Sequence, residues 1–272
     1  RKLVITSGRF GMEIVVKDGG KLDVEQIGSG RDLVLLHSLL TDRSAFDRVV
    51  PSLSATRRLT LVNLPGYGAS SPAGDDVESY ADRVAALFPA LDLRPQSDVL
   101  GNGFGGFIAL SLATRHGTLF DRLIVADALA AFPGPAKLPL RNLAARVAQG
   151  GMAGALDAAI QRMFPPAFIA AHPEIVEERR HALAKADPAC FRAACLALAR
   201  LDFTPVLGTI RNPPLEMGAA LDQTTPTALA RELSTRILGA EFLEIPGCGH
   251  CPQIEDPPAF VNAVNGFLPA AA

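Results

Sequence analysis

No run of apolar residues in this sequence reaches the length of a membrane span, so a transmembrane helix is not expected. Basic residues are in no excess: 26 Lys and Arg stand against 28 Asp and Glu, a net charge of −2. A chain without a positive field is a poor partner for a phosphate backbone, so nucleic acid is not an expected ligand. Cysteines are few, at positions 190, 195, 248 and 251, and lack the spacing of a disulfide framework. A reducing cytoplasm is the compartment this implies, and no stretch has the pattern of a secretory signal. Cys248, His250 and Cys251 lie together, but no second Cys/His pair with zinc spacing accompanies them. They read as small packed thiols beside a histidine, so no metal is expected. What the chain does have is apolar bulk, 49% of 272 residues, enough for one large α/β domain or a core with an insertion.

The most telling absence is a single hydroxyl. A short apolar strand, Ser97-Asp98-Val99-Leu100, ends in Gly101-Asn102-Gly103-Phe104-Gly105-Gly106, and residues 107–113 then have the composition of a buried helix. Strand, sharp glycine turn and helix are the setting of G-x-S-x-G, the elbow that lifts a reactive side chain above a sheet. In that register position 103 should carry the nucleophile, and it is Gly103. Gly101, Gly103 and Gly106 also satisfy G-x-G-x-x-G, and Asp121 and Asp127 fall near the ~20-residue spacing of a dinucleotide ribose contact. A dinucleotide fold opens with such a loop, whereas this one lies about a hundred residues in. The rest of the chain has to choose.

Residues 3–28 alternate apolar and polar side chains around Asp18-Gly19-Gly20 and predict an antiparallel meander. Residues 33–37 and 59–64 are continuous apolar runs, as parallel strands are when both faces are covered. A short amphipathic helix is predicted over 46–53, and helical spacing at 81, 84, 85, 88 and 91 predicts another over 77–91. After the elbow come a helix over 104–116 and a strand over 123–127. Such alternation argues for right-handed crossovers and a mostly parallel sheet. The rhythm stops at Phe132-Pro133-Gly134-Pro135, and residues 132–210 read as an alanine-rich helical cap, broken at Pro165-Pro166, Pro173 and Pro188. Strand 214–219, helix 226–237, strand 241–245 and helix 257–268 complete a core made of residues 1–131 and 211–272. The expected class is α/β, a mostly parallel eight-stranded sheet with an inserted helical cap.

Asp222 lies just past one late strand and His250 just past the next, at the carboxyl edge where open α/β sheets put their sites. Singly, Asp222 reads as a turn residue and His250 as a loop histidine. Together with the elbow they fall in the order nucleophile, acid, histidine, that of the α/β-hydrolases, and this layout weighs against the dinucleotide reading, which absence of bound cofactor absorbance would dispose of. The sequence resembles that superfamily, and within it the oxoadipate enol-lactonases, over nearly its whole length. Residues 35–42, LLHSLLTD, resemble the oxyanion loop, and Pro65-Gly66-Tyr67-Gly68-Ala69-Ser70 is similar to the G-x-G-x-S turn. Gly150-Gly151-Met152, Pro173-Glu174, Cys195-Leu196-Ala197-Leu198 and Leu201-Asp202-Phe203 resemble the family's cap. Gly249-His250, Ile254-Glu255-Asp256-Pro257 and Phe260 resemble its histidine loop and final helix.

The resemblance implies a cofactor-free hydrolase acting on a small carbonyl or lactone substrate. His250 would be the general base and Asp222 would orient it. The backbone N–H groups of Leu39 and Phe104 would be the oxyanion donors, and Ser38, Phe164 and Phe168 would line the substrate site. His37 would brace the oxyanion loop. Departures from the family pattern are Gly103, Asn63 where aspartate is common, and the lack of tryptophan, for which Phe164 and Phe168 stand in. Alanine is the ordinary choice for removing a serine by design, since glycine loosens a strained turn, so the glycine reads as natural. With no hydroxyl at 103, a water in the space of the lost side chain, deprotonated by His250, would keep hydrolysis and drop the covalent step. Proton transfer or C–C cleavage beside a carbonyl is a second reading, and a non-catalytic ligand-binding protein is a third. By position, Ser38, Cys248 and Cys251 are alternative nucleophiles and Asp127 an alternative acid.

Overall fold

The alternating N-terminal residues form a ladder and the continuous apolar runs form the middle of the same sheet. In this computed structural model, residues 2–6, 9–16 and 19–269 are described; Arg1, Ser7, Gly8, Lys17 and residues 270–272, with Asp18 of the expected first turn, lie outside the described residues. Strands β1 (Lys2–Thr6), β2 (Arg9–Val15) and β3 (Lys21–Ile27) are the predicted antiparallel meander. They are followed by β4 (Arg31–Leu36), β5 (Arg57–Asn63), β6 (Asp98–Asn102), β7 (Leu123–Ala126), β8 (Pro214–Ala219) and β9 (Glu241–Ile245). The spatial order is β1-β2-β3-β5-β4-β6-β7-β8-β9, and neighbours from β5 to β9 run parallel. The sheet is mostly parallel, as expected, and has nine strands where eight were anticipated, because all three meander segments pair into it.

Alternation in the central strands divides the core. Leu33, Leu35, Leu59 and Leu61 face a cluster with Phe46, Leu53, Phe260 and Val264 on one side of the sheet. Val34, Leu36 and Val62 face the other side, where Phe104, Phe107 and Ile108 of the elbow helix (Phe104–His116) lie. The helix predicted over 77–91 is interrupted, Val77–Ala85 and then Leu87–Ala90, because Pro89 has no N–H to continue the ladder. The one predicted over 46–53 is likewise a 3₁₀ turn, Arg43–Phe46, and a single helical turn, Val50–Leu53.

Between β7 and β8 the chain runs through the helices Lys137–Gly150, Leu156–Met163, Pro166–Ala171, Pro173–Leu183 and Pro188–Arg200. Pro166, Pro173 and Pro188 each open a helix, where a missing N–H breaks no bond. The two ends of this segment meet: Ala131 pairs antiparallel with Asp202, and Phe203 N–H donates to Ala130 O at 2.8 Å. Its apolar faces join the cluster on the elbow side of the sheet. Among the described residues no helix is long and apolar enough to cross a membrane.

Candidate active site

The site begins where β6 gives way to the elbow helix. Gly103 has φ 53° and ψ −118°, a conformation that strains any residue with a side chain. Its N–H donates to Ala126 O at 2.8 Å, and its carbonyl accepts from Phe107 N–H at 3.1 Å. Gly105 N–H donates to His37 O at 3.0 Å, and a Cβ on Gly105 would stand 2.1 Å from Leu36 O. Only glycine permits this approach of helix backbone to the loop after β4. The approach brings Ser38 and Leu39 beside Gly103 and Phe104.

That loop is braced by His37, which is completely buried. Its Nε2 accepts from Leu64 N–H at 3.0 Å, so Nδ1 carries the proton and donates to Ser38 O at 2.7 Å. Burial pushes the His37 pKa down to about 4, which keeps the brace neutral. Ser38 O also receives the Thr41 N–H and hydroxyl, each at 3.2 Å, and the Tyr67 hydroxyl donates to Leu39 O. Leu39 and Phe104 both line the cavity at the elbow. Neither of their N–H groups has a hydrogen-bond acceptor among the described residues, and Phe104 stands in the first turn of its helix, where such donors are free.

Asp222 and His250 come from the loops after β8 and β9. Asp222 Oδ1 accepts from the N–H groups of Thr224 (2.7 Å) and Thr225 (3.2 Å), while Oδ2 takes the Thr225 hydroxyl and lies 2.7 Å from His250 Nδ1. Burial alone would raise the Asp222 carboxyl; the charge and hydrogen bond of His250, with the Thr225 and Thr224 donors, outweigh it and hold the group below its ordinary value. An ionised acceptor makes Nδ1 the donor, so Nε2 of His250 carries the lone pair and can accept a hydrogen bond. The histidine loop is fixed by four further bonds. His250 N–H donates to Met163 O (2.9 Å), His250 O accepts from Asn102 Nδ2 (3.1 Å), and Glu255 receives the N–H groups of Gly249 (2.8 Å) and Cys251 (3.2 Å). Burial raises Glu255 to about 7 despite these donors.

Asp127, the alternative acid, does not bond the His250 ring. Its Oδ1 accepts from Ala219 N–H at 2.8 Å and its Oδ2 from Asn102 Nδ2 at 3.3 Å. Burial, and then the charge of Asp222, raise its pKa well above the ordinary value, the opposite direction to Asp222 itself. Asp127, Asp222 and His250 could offer ligand atoms within 4.8 Å of one another, but these atoms already serve hydrogen bonds, a poor fit to a metal ion.

The space beside Gly103 departs from the sequence reading. Ser38 Oγ lies 3.2 Å from His250 Nε2. A Cβ built on Gly103 would meet Ser38 Oγ at 2.5 Å and His250 Nε2 at 2.6 Å. The volume expected to hold a water is therefore taken by the Ser38 hydroxymethyl group, which reaches the histidine. The cavity left has a volume of about 20 Å³ and an apolar wall of Phe104, Phe107, Phe132, Leu140, Leu143 and Leu198. Phe164 and Phe168 do not belong to that wall: their rings stack on each other at 4.8 Å, and Phe168 lies 4.6 Å from the His172 ring. Cys248 and Cys251 are buried and free, and burial pushes their thiols up, Cys248 to about 12. Asn63 lies outside the cavity, donating to Asp23 Oδ2 at 2.8 Å and accepting from Arg43 N–H at 3.1 Å.

The structure also brings in residues that the sequence did not single out. Arg162, from the helix Leu156–Met163, lines the cavity, and its guanidinium has no ion-pair partner among the described residues. Burial lowers its pKa, and the charge of Asp222 opposes that. In the sequence it is one arginine of an amphipathic helix, with nothing to set it apart. Thr225 did carry a signal, since a hydroxyl three residues after an aspartate is suited to a local turn. Asn102 and Glu255 stand inside the stretches that resemble the elbow and the histidine loop, but nothing in the sequence marks Asn102 as the tie between the two or Glu255 as the acceptor of the loop's N–H groups.

The profile of the alpha/beta hydrolase family matches residues 33–264. The chain is 29% identical over 258 residues to a pimeloyl-[acyl-carrier protein] methyl ester esterase of Aeromonas hydrophila subsp. hydrophila, covering 91% of this chain and 99% of that protein. It is 30% identical over 238 residues to 3-oxoadipate enol-lactonase 2 of Acinetobacter baylyi, covering 87% and 88%. Its structure is similar to that of the enol-lactonase from Burkholderia xenovorans LB400, with a TM-score of 0.88, 26% identity and coverage of 94% and 99%. A match of this extent, on a sheet with this strand order and a glycine elbow, makes the chain a member of the alpha/beta hydrolase family.

Proposed function

We propose that the protein hydrolyses small carboxylic esters or lactones, with His250 as general base and Asp222 as the carboxylate that orients it. The observation that carries this reading is the buried pair, 2.7 Å apart, with the unprotonated Nε2 beside Gly103 and with the nearby Leu39 and Phe104 N–H groups lacking an acceptor among the described residues. Those amides, Leu39 and Phe104, receive the oxyanion of the tetrahedral intermediate. Residue 103 has no hydroxyl to take an acyl group, so the hydrolysis proceeds with His250 as base and without an elbow serine. The helical segment 132–210 acts as the cap and supplies the apolar wall from Leu140, Leu143 and Leu198.

An anionic substituent on the substrate fits the same pocket. Arg162 is a cation on an otherwise largely apolar wall and has no carboxylate to pair with among the described residues. A substrate acid would supply one, and the enol-lactonase named among the relatives is in keeping with it. Four buried free cysteines fit a reducing cytoplasm as the place of action.

The test is a survey of p-nitrophenyl esters, enol-lactones and β-diketones with the wild type, His250→Ala and Arg162→Gln. His250→Ala should lower kcat ~10²–10⁴-fold, the usual weight of a general base. Arg162→Gln should raise KM for substrates bearing an acid and leave neutral esters unchanged. Turnover of β-diketones alone would assign C–C cleavage instead, and no turnover of any class would favour a ligand-binding protein.

A further inference from the structure

We infer that the nucleophile has moved from the elbow to the loop facing it, so that Ser38 Oγ carries the acyl group in place of residue 103. This rests on the hydrolase reading above. Ser38 Oγ is 3.2 Å from His250 Nε2, and its hydroxyl has no other partner among the described residues. Because Nδ1–H is committed to Asp222, Nε2 accepts and the serine donates: hydroxyl, imidazole and carboxylate form one chain of hydrogen bonds. Ser38 is 1% exposed, so bulk water does not compete for Nε2.

The place is right as well as the partner. A Cβ at residue 103 would stand 2.5 Å from Ser38 Oγ and 3.0 Å from Ser38 Cβ, so the Ser38 side chain fills the volume of an elbow side chain. The oxyanion donors survive the exchange by a swap of roles. A nucleophile at 103 would use the N–H of the following residue, Phe104, and that of Leu39 across the gap. A nucleophile at 38 uses the N–H of its own following residue, Leu39, and that of Phe104 across the same gap. Ser38 is also firmly mounted, its carbonyl held by His37 Nδ1–H and by both donors of Thr41. The competing thiols, Cys248 and Cys251, do not line the cavity.

In the acylation step Ser38 Oγ bonds to the carbonyl carbon as its proton passes to His250 Nε2, and the carbonyl oxygen becomes an oxyanion between the two amides. The C–O bond to the leaving alkoxide then breaks, and that oxygen takes the proton from His250. Water attacks the Ser38 ester with His250 as base, and Ser38 Oγ leaves with the proton returned.

A fluorophosphonate probe tests this without knowledge of the substrate. Peptide mapping of the intact wild-type protein should find a stoichiometric adduct on Ser38 that is lost in Ser38→Ala and in His250→Ala. With p-nitrophenyl acetate, the wild type should show a burst of about one equivalent per chain, the signature of an acyl-enzyme, and Ser38→Ala should lose the burst and ~10³-fold or more of kcat. Ser38→Cys guards against misfolding: it should form a thioester of the added acyl mass and become sensitive to iodoacetamide. No adduct on Ser38, or kcat retained in Ser38→Ala while His250→Ala is inactive, would leave the hydrolase reading intact, assign direct attack by water and overturn this one. An adduct on Ser38 in a protein that turns over no ester or lactone would sink the hydrolase reading and keep the reactive serine.

Discussion

At the scale of single residues, Gly103 and Ser38 occupy one site between them. A serine at 103 would collide with Ser38 Oγ and His250 Nε2, at 2.5 and 2.6 Å from its Cβ; the Ser38 hydroxyl can rotate away, whereas the His250 ring is held by Asp222. The positive φ adds strain of about 1–3 kcal/mol for a residue with a side chain. Gly103→Ser should therefore melt below the wild type in calorimetry. Gly103→Ser combined with Ser38→Ala removes the serine hydroxyl from the collision, so part of the loss should return and the two substitutions should be non-additive, as contacting residues are. In burst assays the double variant should be acylated at residue 103. An adduct on neither residue in the single and double variants would show that the base and the oxyanion donors do not work as a set.

At the scale of elements, the histidine loop is set by Glu255 in the short helix Pro252–Glu255, which accepts the N–H groups on either side of His250. Burial lifts its pKa from the ordinary 4.5 to about 7, so between those values the folded state holds a proton that the unfolded state has released. Such a group stabilises the fold fully at pH below the unfolded value, and its contribution is lost as pH rises through about 7. Glu255→Gln removes this dependence: the difference in melting temperature, wild type minus variant, should fall between pH 5 and pH 8. A difference that is flat or rises across that window would mean that Glu255 is ionised throughout. The element itself was legible, since a histidine after a strand and before a proline-led helix places the loop, but the clamp was not. Glu255 reaches Gly249 and Cys251 only because the chain folds back on itself there.

At the scale of the whole molecule, the cavity of about 20 Å³ has room for roughly one water molecule, so the size of its wall residues limits what it can hold. The wall is shared between the sheet side (Phe104, Phe107) and the helical segment (Leu140, Leu143, Leu198). Leu198→Ala, in the helix Pro188–Arg200, should enlarge the pocket at a cost of about 2–5 kcal/mol in stability. Across p-nitrophenyl esters of increasing acyl length, kcat/KM should shift toward longer chains in this variant. An unchanged length preference with the stability loss present would place the acyl group elsewhere.

The order of strands and helices, the elbow, and the acid and histidine at the ends of successive strands were all open to sequence reading, because each rests on local spacing and chain order. Residues 33–36 alternate between two cores, and glycines at 103 and 105 mark a turn and a close approach whatever lies across from them. What fills the gap beside Gly103 was not open to it. Ser38 and His250 are 212 residues apart, and their 3.2 Å contact depends on the loop after β4 being pinned to the elbow helix. The aromatic wall was misassigned to Phe164 and Phe168 for the same reason: the way a helix turns over a pocket is decided by packing against distant elements, and no periodicity within the helix records it.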